Sequence, residues 1–388
     1  MPTISNKVNS INESSSIKLA STIINLRAQG KDIIGLNVGE PDFMPQPICL
    51  EATKKAIDEG KYRYSKVQGE APLIEALFDY HQSRTKTPLK KENFLVSNGS
   101  KQSLYQVFQT ICNPEDEVII FSPYWVTFPE SIKLAGAKPV TITGDHETLL
   151  PSFEDVLEKI SEKTKAIVIN SPNNPSGRVF PESLLKKLIE LAVEKDFFIV
   201  SDEAYIDLVY EGSSPSHLFD LVPNSFDKII TTRTFSKTHA LTGFRIGYTI
   251  ASSSLTKAMN NLQGHLTGNN CTFAQYGASA SLAVDQEILE HQKNLFKERR
   301  DKAYEIISPV LPHQRPEGAF YLFPSIANVL KPGETCLDFC DDLLQKKQVA
   351  ILPGIAFGLE NYIRIAFTDS TERVIEGCQR IVDFIKER

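Results

Sequence analysis

The chain has 388 residues, 41% hydrophobic and 23% charged, which is the balance of a folded protein too long for one ordinary core; two or three domains are expected. Its 42 basic and 48 acidic side chains leave a formal charge of −6, and no basic block interleaves with aromatics, which argues against a nucleic-acid partner and for a small substrate. No stretch approaches the roughly 18 consecutive apolar residues of a membrane span, and Met1 to Ser16 lacks an apolar signal core, so a cytoplasmic location without a membrane partner is expected.

In chain order, a helix near 16–30 and the extended segment Ile33 to Val38 come first; both are too small to stand alone and are expected to pack with the C-terminal region. From about 92 to 252, short apolar runs alternate with amphipathic stretches, the pattern of a parallel sheet with crossover helices. Strands are expected at 93–97, 117–121, 139–142, 166–170, 197–201, 228–232 and 245–251, with helices at 101–111, 125–135, 153–161 and 182–195. Beyond 252 the pattern becomes mostly helical, with a long helix at 286–307. A strand at 319–323, a helix at 335–346, strands at 349–351 and 362–366 and a helix at 371–387 complete an α+β region. The expected division is a large domain over 48–290 and a small one built from 1–47 and 291–388. No repeat or low-complexity tract interrupts this order.

The six cysteines (Cys49, Cys112, Cys271, Cys336, Cys340 and Cys378) include no CxxC pair, which fits reduced thiols better than a disulfide frame. Cys336 and Cys340 would share a helical face without further ligands nearby, and the seven histidines show no HExxH spacing, so no metal is expected.

Several expected strands end in polar residues: Ser97-Asn98-Gly99, Asn170-Ser171-Pro172 and Ser201-Asp202-Glu203. Ligands of open α/β sheets collect at such carboxyl ends. Lys237 stands in Thr234-Phe235-Ser236-Lys237, eight residues before Arg245, a spacing that suits a phosphate-bearing aldehyde held as a Schiff base. A surface lysine in a loop is the plain alternative. Asp202 emerges at the sheet edge, where a carboxylate can face a pyridinium nitrogen or simply cap a helix; Tyr205 follows three residues on. In Asn173-Asn174-Pro175-Ser176-Gly177 an Asn amide can donate to a phenolic oxygen, although the segment also reads as a turn. The step from Ser97 through Gly99, Ser100 and Lys101 into a helix offers free N–H groups to a phosphate.

Taken together, from Gly39-Glu40-Pro41-Asp42-Phe43 to Tyr362-Ile363-Arg364-Ile365-Ala366, these pieces resemble the class I and II aminotransferases of fold type I, and within them the bacterial aspartate aminotransferase branch. The resemblance implies an α/β fold with a mostly parallel seven-stranded sheet flanked by helices, a smaller α+β domain, and pyridoxal 5′-phosphate as cofactor. It implies that Lys237 carries the cofactor and moves the proton, that Asp202 pairs with the ring nitrogen, that Tyr205 and Asn174 meet its phenolic oxygen, and that Trp125, the only tryptophan, stacks on the ring. Gly99, Ser100, Lys101, Thr234, Ser236 and Arg245 would hold the phosphate, and Arg364 with Gly39 the substrate α-carboxylate, beside Trp125 and Asn174. Tyr64 resembles a tyrosine given to the neighbouring subunit's phosphate, which implies a homodimer with shared sites.

The activity so implied passes the amino group of an L-amino acid, aspartate first, to a 2-oxo acid, 2-oxoglutarate first, by ping-pong kinetics. Aromatic, kynurenine or glutamine substrates are the near alternative, and a lyase or a noncatalytic regulator of the same fold the remoter ones. Ser15, Ser16, Lys18 and Asn270 are polar candidates for reading the substrate side chain, and His239 can face the ligand or pack inside.

Overall fold

The computed structural model describes residues 4–11, 15–212 and 217–388; the side chains of Ser15, Ser16 and Lys18 lie outside the described residues. Its strands are β1 (Ile34–Gly35), β2 (Phe94–Ser97), β3 (Glu117–Ser122), β4 (Lys138–Thr143), β5 (Thr164–Asn170), β6 (Phe198–Asp202), β7 (Ile229–Thr234), β8 (Gly247–Ile250), β9 (Tyr321–Leu322), β10 (Val349–Ala350), β11 (Leu352–Pro353) and β12 (Ile363–Ala366).

Seven of them form one sheet in the order β2-β8-β7-β6-β5-β3-β4. All neighbours pair in parallel except β8, which runs antiparallel to both β2 and β7. The near-continuous apolar runs follow from burial on both faces. Ile119, Ile167, Ile199 and Ile229 point to one side, onto Leu185, Leu188, Ile189 and Ala192 of the helix Glu182–Lys195. Val118, Val168, Val200 and Ile230 point to the other, onto Leu104, Val107 and Phe108 of the helix Gly99–Ile111. Such a side chain stabilises the fold by about 1.5–3 kcal/mol, and its truncation to alanine in a packed core costs about 2–5.

Three elements depart most from the sequence expectation. Arg245 has a φ of 56°, a left-handed conformation that no strand accommodates, so the last strand of the sheet starts at Gly247 instead of at 245. Helices Pro47–Asp58 and Ala71–Gln82 were not anticipated. Each has a proline in its first turn, where the missing N–H costs nothing, and each packs against the helix Thr272–Ser281.

The chain ends come together in a second region. There β11, β12 and β9 form an antiparallel sheet with β12 central, while β1 pairs with β10 in parallel, Ile34 opposite Val349. Ile34 and Leu36 share a core with Phe320, Ile351 and Ile365, and the helix Gln286–Ile307, capped by Asp285, packs against Thr371–Lys386. Among the described residues no helix is long and apolar enough to cross a membrane.

The topology brings the chemistry-bearing residues to one edge. Parallel strands end together, so Asn170 stands opposite Asp202, and Gly247 faces both Ser97 and Thr234.

Candidate active site

At that edge lies a cleft of about 440 Å³. Of the residues expected at a site, Gly39, Ser100, Lys101, Trp125, Asn174, Asp202, Tyr205, Thr234, Ser236, Lys237, Arg245 and Arg364 all line it. They come from segments more than 300 residues apart, joined only by the fold.

Lys237 leaves the turn after β7 and donates from Nζ to the Gly39 carbonyl at 2.6 Å. Burial foremost, then the Arg364 guanidinium, pushes its ammonium down to about 8; Arg245 adds to the effect, while Glu40 and Asp202 oppose it. Asp202, at the last position of β6, is 2% exposed, and burial pushes its carboxyl up to about 7. The Ala204 N–H and the Thr232 hydroxyl resist that rise, and Glu203 reinforces it. Among the described residues no cation pairs with Asp202, whereas Glu203, its neighbour in the chain, turns the other way and binds Arg233 at 2.7 Å. A carboxylate so buried, without a cation of its own, suits a cationic ligand.

Arg364 sits on the central strand β12, 5% exposed, opposite Leu352. Its Nη1 donates to Asn174 Oδ1 at 2.9 Å and its Nη2 to the Asn37 carbonyl at 2.6 Å, while its buried Nε has no partner. The guanidinium lies over the Tyr321 ring, 4.3 Å from the centroid, and no carboxylate among the described residues pairs with it. Buried charges are ordinarily paired, so an unneutralised fork facing a cleft suits a carboxylate ligand. Asn174 also donates from Nδ2 to Tyr205 Oη at 3.4 Å, and Tyr205 Oη lies 2.9 Å from Tyr321 Oη.

The other end of the cleft suits an anion. The Gly99–Ile111 helix opens onto it with the positive end of its dipole, and the close packing there needs glycine twice. Gly99 has φ 70°, and a side chain on it would overlap the Arg245 guanidinium; one on Gly247 would reach within 2.5 Å of the Ser100 nitrogen. Thr234 Oγ1 and Ser236 Oγ, 2.8 Å apart, face the same space with Arg245, which the Thr242 carbonyl steadies at 2.9 Å. Lys101 Nζ rests 5.2 Å from the centre of the Trp125 ring.

Not every expected residue is there. Gly99 stands behind Arg245 without lining the cleft, and Tyr64 is fully exposed and outside it. Asn270 turns inward to donate to the Val96 carbonyl at 2.8 Å. His239 packs beside Phe235, with centroids 5.6 Å apart, and borders a different cavity. Conversely, Asn37, Tyr321 and Asn170 belong to the site without having been singled out for it. Of these only Asn170, a polar residue ending an apolar strand, carried a local signal. Asn170 donates to the Asp202 carbonyl at 3.0 Å and accepts from the Asn174 N–H at 2.8 Å.

A buried carboxylate without an ion pair, a lysine whose ammonium is pushed down to about 8, a forked cation with an orphaned N–H and a helix end flanked by hydroxyls and arginine fit a pyridoxal phosphate with its amino-acid substrate. Fold and site together define a fold type I aminotransferase that uses this cofactor. The chain belongs to the aminotransferase class I and II family, whose model matches residues 31–381. It is 38% identical over 392 residues to a probable aspartate/prephenate aminotransferase of Aquifex aeolicus (strain VF5), covering 99% of each chain. It is 36% identical to the aspartate aminotransferase of Bacillus subtilis (strain 168), again over 99% of each. The crystal structure of an aspartate aminotransferase from Thermotoga maritima superposes with a TM-score of 0.93 at 35% identity, covering 99% of this chain and all of that one.

Proposed function

We propose that this aminotransferase moves the amino group of L-aspartate to 2-oxoglutarate, and that the residues lining the cleft take the roles their family resemblance implies. The observation that carries the reading is the Arg364 fork, buried without a carboxylate partner among the described residues and lining the same cleft as Lys237. That fork suits the α-carboxylate of an amino acid, and the names of the relatives favour aspartate as the donor.

Arg364 grips the α-carboxylate through its fork, and Gly39 permits the approach: Tyr321 Oη already fills the place where a side chain on Gly39 would go. Lys237 Nζ, whose ammonium has fallen to about 8 so that its free amine is far more populated near neutral pH than that of an ordinary lysine, would take the substrate's α-proton and give it up on the cofactor side. The Gly39 carbonyl steadies that amine. When bound, pyridoxal phosphate supplies the carbonyl that receives the amino group and a ring that withdraws electrons from the α-carbon. Asp202 holds the ring-nitrogen end, Tyr205 and Asn174 the phenolic oxygen, and Trp125 one ring face. Gly99, Ser100, Lys101, Thr234, Ser236 and Arg245 enclose the phosphate, Gly99 by giving Arg245 room. Donor and acceptor use one site in turn, which gives ping-pong kinetics.

The assembly belongs to the same proposal. The chain forms a large domain over 48–290 and a small one from 1–47 and 291–388, works in the cytoplasm, and pairs as a homodimer. Tyr64, fully exposed in its own chain, serves the other subunit's phosphate. The test is an amino-donor panel on the purified holoenzyme, followed by visible absorbance and 2-oxo acid formation. Aspartate is expected to bleach the cofactor and release one equivalent of 2-oxo acid per site, and 2-oxoglutarate to restore the absorbance; bleaching by aromatic donors alone would reject the substrate, and continued 2-oxo acid release beyond one equivalent without any acceptor would reject transamination.

A further inference from the structure

The hydroxyl protons around Tyr205 can be placed by elimination. Arginine can only donate, so the 2.9 Å contact from Arg364 Nη1 pins Asn174 with its oxygen toward Arg364. The amide nitrogen then faces Tyr205, and since an amide NH₂ also only donates, Tyr205 Oη is the acceptor there. A phenol has one proton to give. Tyr205 either spends it on Tyr321, 2.9 Å away, or keeps it for the cleft.

Tyr321 decides between these. Its ring lies beneath the Arg364 guanidinium, 4.3 Å from the ring centroid, and that cation stabilises a phenol that gives its proton away. Its buried hydroxyl, 2.9 Å from Tyr205 Oη, has no other polar partner among the described residues. Burial raises both phenols, but Arg364 is the foremost influence drawing Tyr321 back down, so Tyr321 is the readier donor. The charged and titratable groups facing the pair are Arg364 from β12, Asp202 from β6 and Lys237 from the turn after β7.

We propose that Tyr321 is a positioning residue: it donates its hydroxyl to Tyr205 Oη, so that Tyr205, already an acceptor from Asn174 and Tyr321, keeps its proton aimed into the cleft at the cofactor's phenolic oxygen. Through the Arg364 face, this hydroxyl also couples the α-carboxylate receptor to the electronics of the cofactor. The inference rests on the cofactor assignment above.

The experiment is a pH titration of the visible absorbance of the purified holoenzyme, without substrate, for wild type, Tyr321→Phe, Tyr205→Phe and the double variant. Tyr321→Phe keeps the ring under Arg364 and removes only the hydroxyl. A donor held on the phenolic oxygen favours its anion, so Tyr321→Phe is expected to raise the midpoint by about 0.5 pH unit or more. Tyr205→Phe should raise it further, and the double variant should match Tyr205→Phe alone. A midpoint unmoved in Tyr321→Phe, or two shifts that simply add, overturns the proposal. A wild-type protein that gains no visible absorbance from pyridoxal phosphate instead overturns the cofactor assignment.

Discussion

Arg364 offers the most direct measure of the carboxylate receptor. Lysine in its place keeps the positive charge and loses the planar fork. The wild-type guanidinium already gives Nη1 to Asn174 and Nη2 to Asn37, and its Nε is the buried donor left without a partner. A charge-assisted hydrogen bond is worth about 1.5–3 kcal/mol, and an ammonium at the end of a flexible stem can replace at most one arm of a bidentate pair. Arg364→Lys should therefore weaken aspartate by about 10- to 150-fold, at about 1.4 kcal/mol per tenfold. The assay is the rate at which aspartate bleaches the cofactor, measured across concentrations in the absence of acceptor. Half-saturation should rise while the affinity for pyridoxal phosphate stays near that of wild type, since the phosphate end lies on other elements. Half-saturation equal to wild type would refute the receptor role, and equal losses for aspartate and for the corresponding amine lacking the α-carboxylate would show that the damage is general.

Three further outcomes are expected. Lys237→Ala should abolish turnover and leave the cofactor removable by dialysis; retained activity or covalent retention would remove Lys237 from its role. Without cofactor, Asp202 titrates at about 7 in the folded chain against an ordinary 3.8, so stability falls as pH rises between these values. Lys237 titrates at about 8 against 10.5, so stability rises across that window. Urea midpoints against pH should lose the fall in Asp202→Asn and the rise in Lys237→Ala, and unchanged profiles would show that neither group is buried as described. Finally, co-refolding Lys237→Ala with Tyr64→Ala should recover about a quarter of the wild-type sites if Tyr64 acts across the dimer, because half the dimers then carry one intact site of two. No recovery would mean that Tyr64 acts within its own chain or not at all.

Much of the site was legible because parallel strands report their ends. A strand buried on both faces reads as an apolar run, and the polar residue that stops it, Ser97, Asn170 or Asp202, marks the edge where ligands collect. Arg364 stood out for a similar reason, as a cation between isoleucines in a short strand. Asn37 and Tyr321 did not, since Asn37 contributes a backbone carbonyl and Tyr321 reads as one more aromatic in an apolar run. The helices at 47–58 and 71–82 were missed although Pro47 and Pro72 in their first turns are start signals that the sequence carries. The strand expected to begin at Arg245 was shortened by a left-handed turn that no propensity for arginine would suggest.

By itself, then, the sequence determined the alternation of strands and helices, the absence of any nucleic-acid signature, and the family through motifs whose local spacing survives in one dimension. Only the tertiary structure decided that Gly39, Asn174, Lys237 and Arg364 converge on one cleft, that Asp202 forms no ion pair among the described residues while Glu203 beside it forms one, and that Asn270 faces inward. The reason is physical. Hydrophobic periodicity is written between near neighbours, whereas desolvation, charge pairing and the direction of a hydroxyl proton depend on groups that only folding brings within a few ångströms.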